Sequence, residues 1–350
     1  MLLVTFHGGK PTEDASCPVN NVYAYDETAS ASSPPQYVNV LSVPAGVELS
    51  ELRDLAFAHG FLYVANGAKT TSNVLCFEKT PTSSSPVNTW AYVGTFASGG
   101  RGTGDVVGID HPFSVEFSAD GRTCFVSSQD SNVVTMLNVS ADGKTATVQP
   151  GAAASWLEQF PGPSGNGFLD GTFVASARPA LPPVPVTPAV PMEQAGLAYT
   201  TSNADGAVGD GKIQHSVRDV VTCNGVLCVV DEADGVIRLY DPSTGAYLGC
   251  SNPVGEPTHL LVRDNNLFVA SGKQVWVGTP STRVGETFAL TGKIALPDTG
   301  SGMTFDSAGN FYVALRKKKQ IYRYDSSGLA TLFVNHLPDQ PEFVVWVAGS

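Results

Sequence analysis

Charge is scarce in this chain of 350 residues: only 15% are Asp, Glu, Lys or Arg, and the basic side is the poorer, 20 against 32. The net charge of −12 excludes nucleic acid as a partner, because phosphate backbones are held by a net basic surface. No apolar run reaches the length of a membrane span, so no membrane partner is expected. The six cysteines (Cys17, Cys76, Cys124, Cys223, Cys228, Cys250) show no metal-ligand spacing. Cys76, Cys124 and Cys228 sit in apolar runs as small hydrophobes, whereas Cys223 and Cys228 flank Asn224-Gly225 and could meet across a hairpin. Reduced thiols and a cytoplasmic location are the expectation. Met1 leads into Leu2–Phe6 with no basic start and no cleavage site behind it, which argues against a signal peptide; a secreted form would need a leader already removed. A Gly-x-Ser-x-Gly elbow is missing, and the Gly-rich run Ser98–Gly104 lacks the Lys-Ser/Thr ending of a phosphate loop.

What is present is repetition. Apolar triplets closed by small or polar residues recur at 61–66, 123–128, 226–231, 267–271 and 311–315, each followed within about ten residues by a second strand-like run. Those second runs are 73–77, 132–136, 236–241, 274–277 and 320–325. A further strand and a tight turn precede most of the triplets: Asp54–Phe57 before His59-Gly60, Ser114–Phe117 before Asp120-Gly121, Asp219–Thr222 before Asn224-Gly225, Met303–Phe305 before Gly309. Asn-Gly and Asp-Gly between apolar runs are strong hairpin signals. A fourth strand closes each unit, as at 90–95 or 287–291. Four antiparallel strands repeated about every 45–50 residues predict an all-β chain folded as one β-propeller over residues 1–350.

The N-terminus supplies a second strand (2–6), a third (21–26) and a fourth (37–40) but no first, and the C-terminus has a spare strand at 343–347. One blade is therefore expected to be stitched from both ends, which closes the ring and removes edges. Nine of the 24 prolines fall between Pro150 and Pro191, yet Gly171–Ser176 matches Leu267–Ser271. This predicts a degenerate blade at 164–216 with a Pro-rich loop at 177–194, hence seven four-stranded blades; six blades plus an insertion is the alternative.

Units such as Pro112–Ser128 and Gly302–Ala314 resemble the NHL/YVTN class of β-propeller repeats over most of the chain outside 150–216. That resemblance implies the architecture and leaves function open, since propellers host lactonases, lyases, cyclases, lectins and scaffolds. Glu342 and Asn66 are also loosely similar to the strand-start acid and channel asparagine of calcium-dependent six-bladed lactonases, although other positions of that pattern do not match.

If the strands of a blade run a to d outward, the b–c loops and d–a connections share one face. The longest loops fall there, and the ligand site is placed at the channel mouth on that face. Residues opening the a strands (Arg53, Asp54, His111, Arg218, Asp219, His259, Ser301, Glu342) and ending the b strands (His7, Asn66, Arg316) would ring it. His111, His259, Arg218 and Asp219 are the catalytic candidates, combining an imidazole near neutral pKa with an arginine and an acid. Arg53, Asp54, Asn66, Glu342 and Ser301 are ligand-binding candidates. His7, His111 and His259, with the strand-start acids, could hold Ca²⁺ or Zn²⁺, although no cofactor is required. Each of these has a plainer reading, in which the histidines cap strand starts and the Arg-Asp dipeptides form local ion pairs. Arg316–Lys319 reads as a solvated loop tip. The functional expectation is a small-molecule enzyme of lactonase, lyase or cyclase type working without a redox cofactor. Its rival is a non-catalytic binding module for a glycan, peptide or protein.

Overall fold

Six β-sheets stand around a central channel in a computed structural model, which describes residues 1–9, 19–68, 71–80, 89–98, 109, 111–129, 133–148, 217–232, 235–243, 247–281 and 287–348. No helix occurs among them, so none is long and apolar enough to cross a membrane. The first blade joins β1 (Leu2–Phe6) and β2 (Tyr23–Tyr25) to the chain's last strand, β24 (Pro341–Trp346), in the order β2-β1-β24. The second runs outward from β4 (Leu52–Ala58) through β5 (Phe61–Asn66) and β6 (Asn73–Thr80) to β7 (Thr89–Ser98), with β3 (Leu41–Ser42) parallel on its edge. The third comprises β8 (Pro112–Phe117), β9 (Thr123–Ser128), β10 (Val133–Val139) and β11 (Ala146–Val148). The fourth comprises β12 (Val217–Cys223), β13 (Val226–Asp231), β14 (Val236–Tyr240) and β15 (Tyr247–Cys250). The fifth is β16 (Pro257–Arg263), β17 (Asn266–Ser271), β18 (Gln274–Gly278) and β19 (Thr291–Ala295). The sixth is β20 (Gly300–Phe305), β21 (Phe311–Leu315), β22 (Gln320–Tyr324) and β23 (Ala330–Val334).

Local chemistry sets these hairpins. Two-residue turns at His59-Gly60, Asn224-Gly225 and Asp264-Asn265 have positive φ at both positions (51° and 80°, 50° and 79°, 50° and 60°). That geometry matches the right-handed twist of the flanking strands and favours Gly, Asn and Asp. Apolar side chains of each sheet pack on the next. Leu2, Val4 and Phe6 meet Tyr312, Ala314 and Phe333 between the first and sixth blades. Phe125, Val134 and Met136 meet Val217, Val220, Leu227 and Val229 between the third and fourth.

That third-to-fourth interface decides the blade count. Thr222 N–H on β12 donates to Glu116 Oε1 on β8 (2.8 Å), so these inner strands are neighbours and six blades close the ring. The six-blade alternative therefore describes the architecture. The degenerate blade placed at 164–216, with its loop 177–194, lies outside the described residues. The expected stitched blade is present: Leu2 pairs with Trp346 and Val4 with Val344.

Two outer strands differ from expectation. The fifth blade's fourth strand is Thr291–Ala295, not 287–291, because Phe288 and Leu290 are drawn into the core between the fourth and fifth blades. The N-terminal segment 37–40 makes a single bridge, Ala24 to Tyr37. The five described cysteines are free thiols, so Cys223 and Cys228 form no disulfide.

Candidate active site

Every innermost strand is bulged near its start. The register shifts between Leu52 and Leu55, Pro112 and Ser114, Val217 and Val220, Pro257 and His259, Gly300 and Met303, and Pro341 and Val344. A bulge leaves residues out of the ladder and re-aims their side chains. Arg53-Asp54, Phe113, Arg218-Asp219, Thr258, Ser301-Gly302 and Glu342-Phe343 occupy these positions. Gly302 is required there by contact, since a Cβ would lie 2.5 Å from Phe343 Cα and Val344 N.

The bulges split the Arg-Asp dipeptides. Each arginine turns to the channel mouth, while each aspartate turns to the neighbouring inner strand. Asp54 Oδ2 accepts from Val115 N–H (3.0 Å) and Ser114 Oγ (3.0 Å). Asp219 Oδ2 accepts from Leu260 N–H (2.7 Å), and Oδ1 from its neighbour Val220 N–H (2.8 Å). Both acids thus staple blade to blade rather than pair with the adjacent arginine. Ser301 does likewise, donating to Pro341 O (2.9 Å). Asn66 caps strand ends: Oδ1 accepts from Ser50 N–H (2.8 Å) and Nδ2 donates to Glu48 O (2.9 Å). Asp219, Asp54, Ser301 and Asn66 therefore stand apart from the cluster at the mouth.

That cluster centres on Glu342, which is 1% exposed. Its Oε1 accepts from Arg53 Nη1 (3.0 Å) and lies 2.7 Å from Arg316 Nη2. Burial opposes ionisation, but the guanidiniums of Arg316 and Arg53, with His259 and His7, outweigh it and hold the carboxyl at about 2. His259 is its opposite: burial drives its pKa to about 3, against the pull of Glu342, so the imidazole is neutral. His259 Nδ1 meets Thr258 Oγ1 at 2.9 Å, while Nε2 faces Glu342 Oε2 at 3.7 Å, too long for a hydrogen bond. Both facing atoms are buried without a hydrogen-bond partner among the described residues.

Around this centre stand paired rim groups. Arg53 Nη2 lies 3.3 Å from Glu51 Oε2, which also meets His111 Nε2 at 3.2 Å. Glu51 and His111 both adopt left-handed backbone (φ 51° and 54°), a costly conformation for such residues that concentrates at functional positions. Ser72 Oγ accepts the N–H of His111 at 3.1 Å. His7 contributes its carbonyl, 3.4 Å from Arg53 Nη1, and burial and then Arg53 lower the pKa of its ring. Arg218 pairs with Glu232 at 2.6 Å and lies over the Phe113 ring at 5.7 Å. Its Nη1 has no hydrogen-bond partner among the described residues.

The mouth has an alternating order. Arg53, Arg218 and Arg316 come from the second, fourth and sixth blades. Phe113, His259 and Phe343 come from the third, fifth and first, and form an aromatic layer across the channel with centroid separations of 5.3, 5.4 and 4.6 Å. In sequence Arg316 falls on the mouth ring but reads as a loop tip beside three lysines. Phe113 and Phe343 read as core because each is a Phe in a β run, and nothing in the sequence singles out Thr258. Among the described residues no group of three or more His, Cys, Asp and Glu could hold a metal ion. Arg53 and Arg316 contact Glu342 Oε1, and Arg53 Nη2 lies 3.4 Å from His111 Nε2.

No family model matches the chain, and no curated protein matches it. Solved structures do. The periplasmic gluconolactonase of Pseudomonas aeruginosa is 16% identical with a TM-score of 0.50, over 96% of this chain and 82% of that one. A putative 6-phosphogluconolactonase of Bacteroides uniformis is 13% identical with a TM-score of 0.51, covering 99% and 87%. A protein of unknown function from Bacteroides caccae is 12% identical with a TM-score of 0.52, covering 98% and 97%. At such identities the likeness shows a shared fold, the β-propeller.

Proposed function

We propose that the chain is a lactonase-type enzyme that opens the ring ester of a small polar lactone at the mouth of its channel. The observation that carries the reading is the facing pair His259 Nε2 and Glu342 Oε2, unpartnered at 3.7 Å beneath a rim of arginines. Two structural neighbours, a gluconolactonase and a putative 6-phosphogluconolactonase, agree with it.

In this reading a water attacks the lactone carbonyl as neutral His259 takes its proton at Nε2. Thr258 Oγ1 holds Nδ1, and anionic Glu342 stabilises the imidazolium that forms. Arg218 Nη1 donates to the oxygen that gains charge. His259 then returns the proton to the departing ring alkoxide, leaving a hydroxy acid. Phe113 and Phe343 keep bulk water off the imidazole. Ester hydrolysis changes no oxidation state, so the reading calls for no redox cofactor.

The test is a hydrolysis assay on a panel of sugar-derived and simple aliphatic lactones. His259→Phe keeps the aromatic layer and is expected to lower kcat by about 10²–10⁴, the usual weight of a general base. Arg218→Ala is expected to lower kcat/KM. In the wild type kcat should stay level from pH 8 to pH 5, because a base titrating at about 3 is unprotonated throughout. Unchanged turnover in His259→Phe, or no lactone opened by the wild type, overturns the reading and leaves the binding module.

A further inference from the structure

Beneath the aromatic layer the same six inner strands line a half-open chamber of about 330 Å³. It lies toward the hairpin-turn face, away from the arginines. Its wall has a one-sided chemistry. Thr222 N–H donates to Glu116 Oε1 (2.8 Å), Val115 N–H to Asp54 Oδ2 (3.0 Å), Leu260 N–H to Asp219 Oδ2 (2.7 Å), and Trp346 N–H to Thr304 Oγ1 (3.2 Å). Each staple spends a backbone donor and sets a side-chain oxygen on the wall. Three of the four stapling side chains are carboxylic acids, and the lining contains no Lys, Arg or His. The rest is largely aliphatic, with Leu260, Val262 and Met303 among it.

We propose that this chamber binds a small organic primary ammonium with an apolar body, its charged end against Glu116. An ammonium brings three N–H donors and one positive charge, which an acceptor-rich, acid-lined wall without a counter-cation lacks. A metal ion is the poorer fit, since no three of these groups converge as ligands among the described residues and the chamber far exceeds an ion's size. The site is separate from the lactonase reading and stands or falls without it. Burial pushes the Glu116 carboxyl up to about 7, with the Thr222 hydrogen bonds opposing and Asp54 adding to the rise. The titratable groups packed around it are Asp54 on β4, Asp219 on β12, and the thiols of Cys124 and Cys228, which burial holds protonated. A bound ammonium would displace the Glu116 proton, so affinity should climb with pH until that carboxyl is ionised.

Calorimetric titration of the full chain with benzylamine and its uncharged isostere benzyl alcohol, at pH 6 and pH 8.5, tests this. Benzylamine is expected to bind at one site per chain, about tenfold more tightly at the higher pH, with benzyl alcohol binding weakly and without pH dependence. Glu116→Gln should weaken benzylamine about tenfold and flatten its pH profile, whereas Arg218→Ala should leave it unchanged. If Glu116→Gln does not fold, the wild-type pH profile and the alcohol comparison decide. Equal binding of the alcohol, pH-independent binding of the amine, or no saturable binding overturns the proposal.

Discussion

The mouth and the chamber are built from the same six strands, yet they treat carboxylic acids in opposite ways. Glu342 at the mouth sits among guanidiniums and stays ionised down to about pH 2. Glu116 and Asp54, a few residues further along the inner strands, meet only N–H and hydroxyl donors, and burial lifts them to about 7 and about 6. Desolvation raises the carboxyl in both places, so the partner decides. A full counter-charge outweighs desolvation, whereas two or three dipoles offset part of it. The aromatic layer of Phe113, His259 and Phe343 stands between the two regimes.

The sharpest way to break the comparison is to remove the counter-charge at its centre. Glu342→Gln leaves Arg53 and Arg316 facing a neutral amide, and Arg53 is only 3% exposed. Losing one member of a buried ion cluster typically costs about 3–5 kcal/mol, and the shift of the carboxyl from 4.5 to about 2 corresponds to roughly 3 kcal/mol. Urea unfolding at pH 7 should show a loss of that size. Because this folded pKa is depressed, its stabilisation is complete above about pH 4.5 and fades as pH falls toward 2. The variant's deficit should therefore shrink in acid. A deficit below about 1 kcal/mol at pH 7 would mean that the cluster holds itself together without its anion.

Part of this was legible from residue order alone. The repeat of triplet and hairpin turn fixes where a strand starts, so Arg53, Arg218, His259 and Glu342 could be placed at one mouth. The direction of a side chain was not legible. Alternation assumes an unbroken ladder, and a bulge moves two adjacent residues to different duties, which is why Asp219 and Asp54 read as site acids. Arg316 was hidden by its lysine neighbours. The outermost strand Thr291–Ala295 was hidden by lacking an apolar face: four of its five residues are exposed.

Acid strikes the mouth through a second group. His259 is neutral when folded and has a pKa lowered from 6.5 to about 3, so protons prefer the unfolded chain. Stability from this group is complete above pH 6.5 and is lost as pH falls toward 3. Between pH 7 and pH 5 the wild type should lose about 2 kcal/mol to it. His259→Phe, which has nothing to titrate and fits between Phe113 and Phe343, should flatten that limb. Thermal unfolding across the range reads the difference; equal slopes in both proteins would mean that the imidazole is solvated when folded.

The smallest effect is the mirror image of that one and lies on the chamber side. Glu116 has a raised folded pKa, so protons prefer the folded chain. Its contribution is complete below about pH 4.5 and is lost as pH rises through 7. Glu116→Gln keeps an oxygen for the Thr222 N–H and removes the charge. It should match the wild type near pH 5 and exceed it by about 1–2 kcal/mol at pH 8.5, a gain kept below the full value of the shift because residual solvent screens the group. The two substitutions should then act on opposite limbs of one stability–pH curve, His259→Phe lifting the acid side and Glu116→Gln the alkaline side. The double variant should show both changes additively, because the aromatic layer keeps the groups from sharing a partner. A clearly non-additive double would mean that mouth and chamber are one electrostatic site.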